Sequence, residues 1–273
     1  MSEMRAESDP GFGVVRILEC DPDLAEDLSD DQVWRAREVL VARSVYVRAG
    51  EWEIGFDHFE PSGNLGLLVV DGLLAREVTV GAHACAELLG PGDVLQPWLR
   101  IGPDNSVATD VVWDVLTPMV AAVLDREFVR RVAPWPEIAA AVARRLGRRT
   151  HWLAFQLAVC ALRRLDDRLL LVLWHLADRW GRVTSEGVRL DLRLTHDTLA
   201  AAVGARRPSV SVALKRLIEQ GKVESCPGSR WMLHGRPPAE LESMHRRTAG
   251  GSRGEPATVR SGHCPDETDD TSR

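Results

Sequence analysis

The segment from Leu194 to Val223 constrains the fold most, because two short helical patterns in it flank a single glycine. Thr195 can cap the first helix with its hydroxyl, and Asp197 complements the positive end of that helix. Gly204 stands where the chain must turn abruptly, since glycine adopts positive φ at little cost. Pro208 suits the first turn of the second helix, where an N–H would have no partner. The segment is therefore predicted to be a helix-turn-helix.

The second helix is predicted to have one buried face and one polar face. Its apolar stripe follows the helical spacing i, i+4, i+7 and i+8 and consists of Val210, Leu214, Leu217 and Ile218. With Arg207 at the N-terminal tip, the opposite face offers donors for phosphates and base edges. That face consists of Pro208, Ser209, Val212, Lys215 and Arg216. Two short amphipathic helices around a glycine also occur in helical bundles, so the segment alone leaves that alternative open.

The residues after the second helix favour a DNA-binding module over a bundle. Gln220-Gly221 closes the helix, and Val223 starts a strand. The turn residues 226–229 then lead into a returning strand over Arg230–Leu233. Helix, turn, helix and hairpin together make a winged helix.

This winged helix resembles the DNA-binding domain of the CRP/FNR family of bacterial transcription regulators. The family pattern is a leading threonine, a glycine turn and Ser-Arg-x-x-Val, and its counterparts here are Thr195, Gly204, Arg207 and Val210. The resemblance implies that Arg207 reads a base while Arg206 and Ser209 contact phosphate. Pro208 and Val212 depart from the family pattern, so the operator should differ from the family's best-known sites. The predicted DNA-contacting residues are Thr195, His196, Arg206, Arg207, Ser209, Ser211, Val212, Lys215, Arg216 and Arg230.

The charge distribution is consistent with this function. The segment Arg189–Gly235 contains eight Lys/Arg against four Asp/Glu, which is near +4, whereas the whole chain carries −6 and the remainder is therefore near −10. Affinity for phosphate comes from the local patch, and an acidic remainder limits indiscriminate binding.

The length of 273 residues suits about two domains, and no apolar run approaches the roughly 18 residues of a membrane span. The N-terminus lacks the apolar region of a signal peptide, so a cytoplasmic location is expected. The predicted division is an N-terminal arm, partly disordered (1–32), a sensor-like β domain (33–134), a dimerisation helix (135–165), a winged helix (166–235) and a disordered tail (236–273).

The β domain is predicted from short alternating segments with tight turns, beginning with strand positions Val45, Val47, Trp52, Ile54 and Phe56. Residues 67–70 and 73–80 should form a hairpin around Asp71-Gly72. Further strands are expected over 84–89, 107–112 and 119–124. This pattern favours a β-sandwich or jelly roll, and the resemblance implies the double-stranded β-roll of cyclic-nucleotide-binding-like domains. The overall fold class is α+β.

The resemblance weakens where relatives bind cyclic AMP. Their cassette has Gly-Glu-Leu after a Gly-Asp turn and Arg-Ser/Thr-Ala about ten residues on. Here Gly92-Asp93 is present, but Pro97 replaces the glutamate and Ala108-Thr109 lies where Arg-Ser would be. A buried phosphate without its arginine is strongly disfavoured, so cyclic-nucleotide binding is not predicted.

The sequence allows two interpretations of the sensor pocket. Trp98, Arg100, Arg149 and Thr150 are candidates for another effector site. The alternative is that Trp98 plugs a vestigial pocket while Arg100 is solvated and Arg149 is solvated or ion-paired. A metal-dependent oxygenase would need a His-x-His pair with a nearby glutamate, and His58 and His83 stand alone, so no enzyme is predicted.

A long helix is predicted from Trp135 to about Arg164. Its stripe near coiled-coil spacing consists of Ile138, Val142, Leu146, Leu153, Leu157 and Cys160. The stripe is the predicted dimer interface, in agreement with the central helix that the resemblance implies. Residues 165–168 are the predicted hinge, with Asp166 capping the next helix.

The five cysteines, Cys20, Cys85, Cys160, Cys226 and Cys264, have neither metal-site nor disulfide-framework spacing, so no metal or cofactor is predicted. The sequence as a whole predicts a homodimeric regulator that reads a pseudo-palindromic DNA site, with an unknown effector. Contact with RNA polymerase is implied by the family alone. The competing interpretation is a ligand-binding signalling module whose winged helix contacts protein.

Overall fold

The computed structural model describes residues 11–52, 63–81, 83–98 and 109–238. No helix within these ranges is long and apolar enough to cross a membrane. Several predicted features lie outside the described residues, namely Ile54, Phe56, His58, Arg100, the start of the strand over 107–112 and most of the tail.

The N-terminal half is built on an antiparallel sheet. Its elements are strand β1 (Gly11–Arg16), helix α1 (Ile17–Cys20), a 3-10 turn (Pro22–Ala25), helix α2 (Asp30–Val39) and strands β2 (Val41–Val47), β3 (Gly50–Glu51), β4 (Gly66–Val80), β5 (His83–Leu89), β6 (Val94–Leu95) and β7 (Asp110–Leu124). The strands lie in the order β1-β2-β7-β4-β5, with β3 paired to β7 and β6 to β4. The predicted jelly-roll-like β domain is confirmed.

Two long strands replace the shorter ones predicted from the sequence. Residues 66–80 form one strand rather than a hairpin, and residues 110–124 form one strand rather than two. The two strands pair from Gly66–Leu124 to Thr79–Asp110, with register shifts around Asp71 and Gly72. Gly72 has φ +96°, and a Cβ there would lie 2.5 Å from the Pro118 carbonyl oxygen. The Asp-Gly signal was misassigned because a β-bulge uses the same positive φ as a hairpin turn.

The predicted N-terminal arm over 1–32 is structured from Gly11 onward. Strand β1 pairs with β2, from Gly11–Tyr46 to Arg16–Val41. Ile17, Leu18 and Leu24 behind it are fully buried. The strand escaped sequence analysis because six residues with two glycines give a weak alternating signal.

The C-terminal half is mainly helical. It contains helices α3 (Arg126–Val132), α4 (Pro136–Cys160), α5 (Leu165–Trp180), α6 (His196–Ala202) and α7 (Arg207–Glu219), with strands β8 (Gly181–Val183), β9 (Val188–Leu190), β10 (Val223–Cys226) and β11 (Arg230–Leu233). The four strands form a second sheet in the order β10-β11-β9-β8. The predicted helix-turn-helix with its hairpin wing is therefore present.

Helix α4 corrects the predicted dimer stripe. Ile138 and Val142 are fully buried in the chain's own core with Leu24 and Phe128, and Leu146 packs against the same cluster. Leu153 and Cys160 are partly buried, whereas Leu157 is 75% exposed. The stripe mixes two faces because the first half of α4 completes the core of the β domain. Ile138 and Val142 are thus not available to a partner chain.

Three rings stack where α4 meets α5. The Trp152 and His175 rings are nearly parallel, with centroids 3.6 Å apart, and Phe155 stacks on both. Burial, together with the nearby Arg179 charge, lowers the His175 pKa to about 3. The imidazole is therefore neutral near pH 7.

This stack should make the protein acid-sensitive. Because the folded-state pKa of about 3 lies below the ordinary 6.5, the unfolded chain binds more protons between these values. His175 should therefore reduce the free energy of unfolding as pH falls below 6.5, by up to about 1.4 kcal/mol per pH unit. His175→Phe keeps an aromatic ring but cannot be protonated, so its stability should fall less over this range in urea unfolding.

The exposed His151 on α4 provides a matched control. His151→Phe should retain the wild-type dependence of stability on pH. Equal pH dependence in His175→Phe and the wild type would contradict the assignment of acid sensitivity to the buried ring.

Candidate nucleic-acid interface

The first helix of the motif begins as the sequence predicts. Thr195 precedes α6, and its hydroxyl accepts a hydrogen bond from the Thr198 backbone N–H at 3.1 Å. Leu199, Ala200 and Ala202 are buried. Gly204 then turns the chain with φ +60°, a conformation that favours glycine.

Helix α7 presents a polar face to the outside. Its first turn contains Pro208 and no acidic residue, and Val210, Ala213, Leu214 and Leu217 are buried. The exposed side chains of this face are Arg206, Arg207, Pro208, Ser209, Val212, Lys215 and Arg216, and Ser211 is partly buried. Ile218 is 41% exposed, so its predicted place in the buried stripe is wrong. Ile218 lies one residue before the C-terminal end of α7 at Glu219.

A buried carboxylate positions α7. The Arg216 guanidinium donates to Asp166 Oδ1 at 2.7 Å, and Asp166 is only 6% exposed. A buried charge is costly without a partner, so this pair fixes α7 against the first turn of α5. Asp166 does not cap α5 as predicted, because Arg164 occupies the N-cap position and makes no side-chain cap bond.

Further contacts join α6 to α7 and connect the motif to its wing. His196 Nδ1 lies 2.8 Å from Ser211 Oγ, which joins α6 to α7. The His196 ring lies beside that of Trp231, and the Trp231 indole N–H donates to the Leu194 carbonyl at 2.9 Å. His196 and Ser211, both predicted to contact DNA, thus also hold the motif together.

The remaining predicted donors are accessible. Arg206, Ser209, Lys215 and Arg230 are exposed. Arg207 Nε lies 3.2 Å from Asp197 Oδ2, but the two side chains are 66% and 72% exposed. Exposed ion pairs of this kind contribute little to stability, so Arg207 can exchange Asp197 for a nucleic-acid acceptor.

The family model described as a Crp-like helix-turn-helix domain matches residues 167–242. The CRP-like cAMP-activated global transcriptional regulator of Mycobacterium tuberculosis is 29% identical over 171 residues, which cover 61% of this chain and 74% of that protein. The chain therefore contains a Crp-like helix-turn-helix domain, and over 74% of that regulator's length it is similar to a transcriptional regulator.

Solved structures show the same fold as this chain. A mutant of CooA from Carboxydothermus hydrogenoformans aligns with TM-score 0.56 and 18% identity, over 81% of this chain and 94% of that one. A CRP-family regulator from Thermus thermophilus aligns with TM-score 0.51 and 21% identity, over 75% of this chain and 96% of that one. These likenesses cover both the β-roll and the winged helix.

The predicted pocket arginine on α4 already has a partner. Arg149 donates two hydrogen bonds to Glu87, at 2.6 and 2.7 Å, and Arg76 lies 3.7 Å from the same carboxylate. Burial lowers the Arg149 pKa, but the hydrogen bonds to Glu87 and the negative charges of Glu87 and Asp93 together raise it above its ordinary value. The ion-paired alternative left open by the sequence describes Arg149 correctly.

The other described pocket candidates, Trp98 and Thr150, have contacts of their own. Trp98 is partly buried and packs against the core cluster that contains Val45 and Leu95. Thr150 is exposed, and its hydroxyl donates to the Leu146 carbonyl at 3.4 Å. Trp98 thus contributes to the β-roll core.

Sequence reasoning missed Glu87 and Gln156 as structurally important polar residues, and it assigned Asp166 the role of a helix cap instead of a partner for Arg216. Each is at most 6% exposed. Their importance depends on partners 46 to 70 residues away, such as Arg216, Arg149 and Ala202. A single sequence carries no local signal for such pairs.

Proposed function

We propose that this chain is a homodimeric, sequence-specific DNA-binding transcription regulator that acts in the cytoplasm without control by cyclic AMP. The observation that carries the proposal is the exposed cationic face of α7, held by Asp166 and by the Ser211–His196–Trp231 contacts. Fixed orientation matters, because a recognition helix must present its side chains to base edges in one register. Arg206, Arg207 and Ser209 at the tip supply donors for phosphates and guanine edges.

A second stripe on α4 supports the dimer. Leu157 is 75% exposed, and exposed residues recur around it at alternating spacings of four and three. They are Ala143, Gly147, Thr150, Ala154, Leu157 and Ala161. This is the spacing of a coiled-coil seam, and small residues allow two helices to approach closely. We assign this stripe, rather than the one predicted from apolar residues, to contact with a second copy of the chain.

A parallel pair of α4 helices has functional consequences for the DNA-binding units. Two-fold symmetry would place two copies of α7 on one side of the dimer. Two recognition helices on a two-fold axis read an inverted repeat with half-sites about one helical turn apart.

Selection from random duplexes at moderate salt should enrich an inverted repeat. Arg207→Ala should weaken binding to the enriched site by about 1–3 kcal/mol and relax the preference at one base position, because it removes a base-reading side chain. Competitive binding to the enriched site and its single-base variants measures both effects.

Arg130→Ala provides the charge-matched control, because Arg130 is exposed on α3 in the β domain. It should leave affinity and base preference unchanged. Failure to enrich any inverted repeat would refute the DNA-binding proposal and favour a winged helix that contacts protein.

The dimer seam can be tested by Leu157→Glu. Equivalent side chains face each other in a parallel pair, so the change would bury two like charges at the contact. The dimer dissociation constant in sedimentation equilibrium should rise on the order of 100-fold or more. Val183→Glu is the control, since Val183 is 86% exposed on β8 outside α4. An unchanged dimer in Leu157→Glu would exclude this seam.

The lack of cyclic AMP control rests on the altered cassette and on Arg149. Pro97 stands in place of the cassette glutamate, and the Arg149 guanidinium is already neutralised by Glu87. Releasing Arg149 for a phosphate would leave the Glu87 carboxylate buried, with Arg76 as its remaining ion-pair partner among the described residues.

Calorimetric titration with cyclic AMP and with cyclic GMP should therefore give no saturable heat at micromolar concentrations. The chain used should be the full-length protein, and its fold should be checked by circular dichroism before titration. Micromolar binding of either nucleotide would show that the cassette is functional in a form that the sequence does not display.

A further inference from the structure

Two cysteines that are distant in the sequence meet at the junction of three elements. Cys85 lies on β5, and Cys160 is the last residue of α4. Burial, together with the neighbouring Cys160 thiol, raises the Cys85 pKa to about 11. Both residues are only partly buried, and both thiols are free.

Gln156 defines the surroundings of this pair. Its buried amide donates to the carbonyls of Ala86 on β5 at 2.7 Å and Ala202 on α6 at 2.9 Å. The same nitrogen lies 3.5 Å from Cys85 Sγ. Gln156 thus connects the β-roll, the long helix and the helix-turn-helix.

Cys160 follows Gln156 by one helical turn, so both side chains lie on the same face of α4. A Cβ built on Gly204, in the turn between α6 and α7, would lie 3.8 Å from Cys160 Sγ. The thiol pair therefore lies between the β-roll and the turn of the DNA-binding motif.

We propose that Cys85 and Cys160 form an oxidation site, at which a hydroperoxide converts the two thiols to a disulfide that fixes the end of α4 to β5. The site goes beyond the proposed function, and formation of the bond does not depend on DNA binding.

The chemistry needs only the two thiols and one hydroperoxide. One sulfur attacks the peroxide, the O–O bond breaks, and a sulfenic acid and one water form when hydrogen peroxide is the oxidant. The second sulfur attacks the sulfenic sulfur, the S–O bond breaks, and the S–S bond forms with release of a second water. The thiols lose two electrons to the peroxide, and their two protons leave in the water molecules. Rotation about the two Cα–Cβ bonds must bring the sulfurs to about 2.05 Å.

The Cys85–Cys160 disulfide would restrict the relative movement of β5 and the end of α4. It closes a long loop between β5 and the end of α4, and loop closure restricts the unfolded chain. It would also hold the last turn of α4 in the position from which Gln156 reaches both Ala86 and Ala202. Oxidation is therefore expected to stabilise the arrangement of the β-roll against α6.

The test treats the reduced full-length protein with hydrogen peroxide and counts free thiols after denaturation. The count should fall from the five cysteines of the chain to three, and non-reducing peptide mapping should recover a peptide that joins Cys85 to Cys160. The Tm of the oxidised protein should rise by several degrees, roughly 5–10 °C for a cross-link of this loop length. Reduction with dithiothreitol should reverse both changes.

Cys85→Ser and Cys160→Ser should each keep all four remaining thiols and show no Tm increase. Cys226→Ser, which removes a partly buried cysteine in the wing, should still lose two thiols. The mapping uses the wild-type chain, so it remains decisive even if a serine variant folds poorly. A linked peptide that contains Cys20 or Cys226 instead, or five free thiols after oxidation, would overturn the proposal.

Discussion

The insertion of the first half of α4 into the core beneath the β-roll is the constraint on which the remaining structure depends. Ile138 and Val142 are fully buried there with Leu24 and Phe128. Because one face of the helix is used in this way, only the opposite face can meet a partner chain. The same packing determines where the end of α4 lies and therefore where α5 and the winged helix begin. The proposed dimer contact and the proposed DNA recognition thus both depend on an intrachain hydrophobic contact.

Paired charges with buried carboxylates then select one arrangement among those the apolar packing would allow. Glu87 accepts from Arg149, and Asp166 accepts from Arg216. Apolar contacts are non-directional, whereas a buried carboxylate left without its partner is strongly unfavourable. A displaced helix would leave the carboxylate unpaired at a large cost in free energy, whereas the intact pair adds less than this to the stability of the correct arrangement. Gln156 has the same effect with a neutral group, because its amide satisfies a carbonyl at the end of α6 that the helix itself leaves without a partner.

The features that the sequence predicted well depend on short-range signals. Thr195, Gly204 and Pro208 each act within one turn of the chain, and the structure places all three as predicted. The errors concern choices that only long-range pairing decides. Asp71-Gly72 fits both a hairpin and a bulge, and the full-length pairing of β4 with β7 selects the bulge. The apolar stripe of α4 was likewise ambiguous, because apolar residues that complete a core and those that meet a partner have the same helical spacing.

The Gly-Asp turn shows how a family feature can persist with a different role. In cyclic-AMP-binding relatives this turn precedes the phosphate cassette, which is altered here. Asp93 accepts from the Gly90 N–H at 2.9 Å and from the Arg179 guanidinium at 2.6 Å. A Cβ on Gly90 would lie 2.8 Å from the Trp180 ring, whose indole N–H donates to the Pro91 carbonyl at 3.3 Å. The turn is thus the surface on which the end of α5 docks. This contact joins the β-roll to the helix-turn-helix half of the chain.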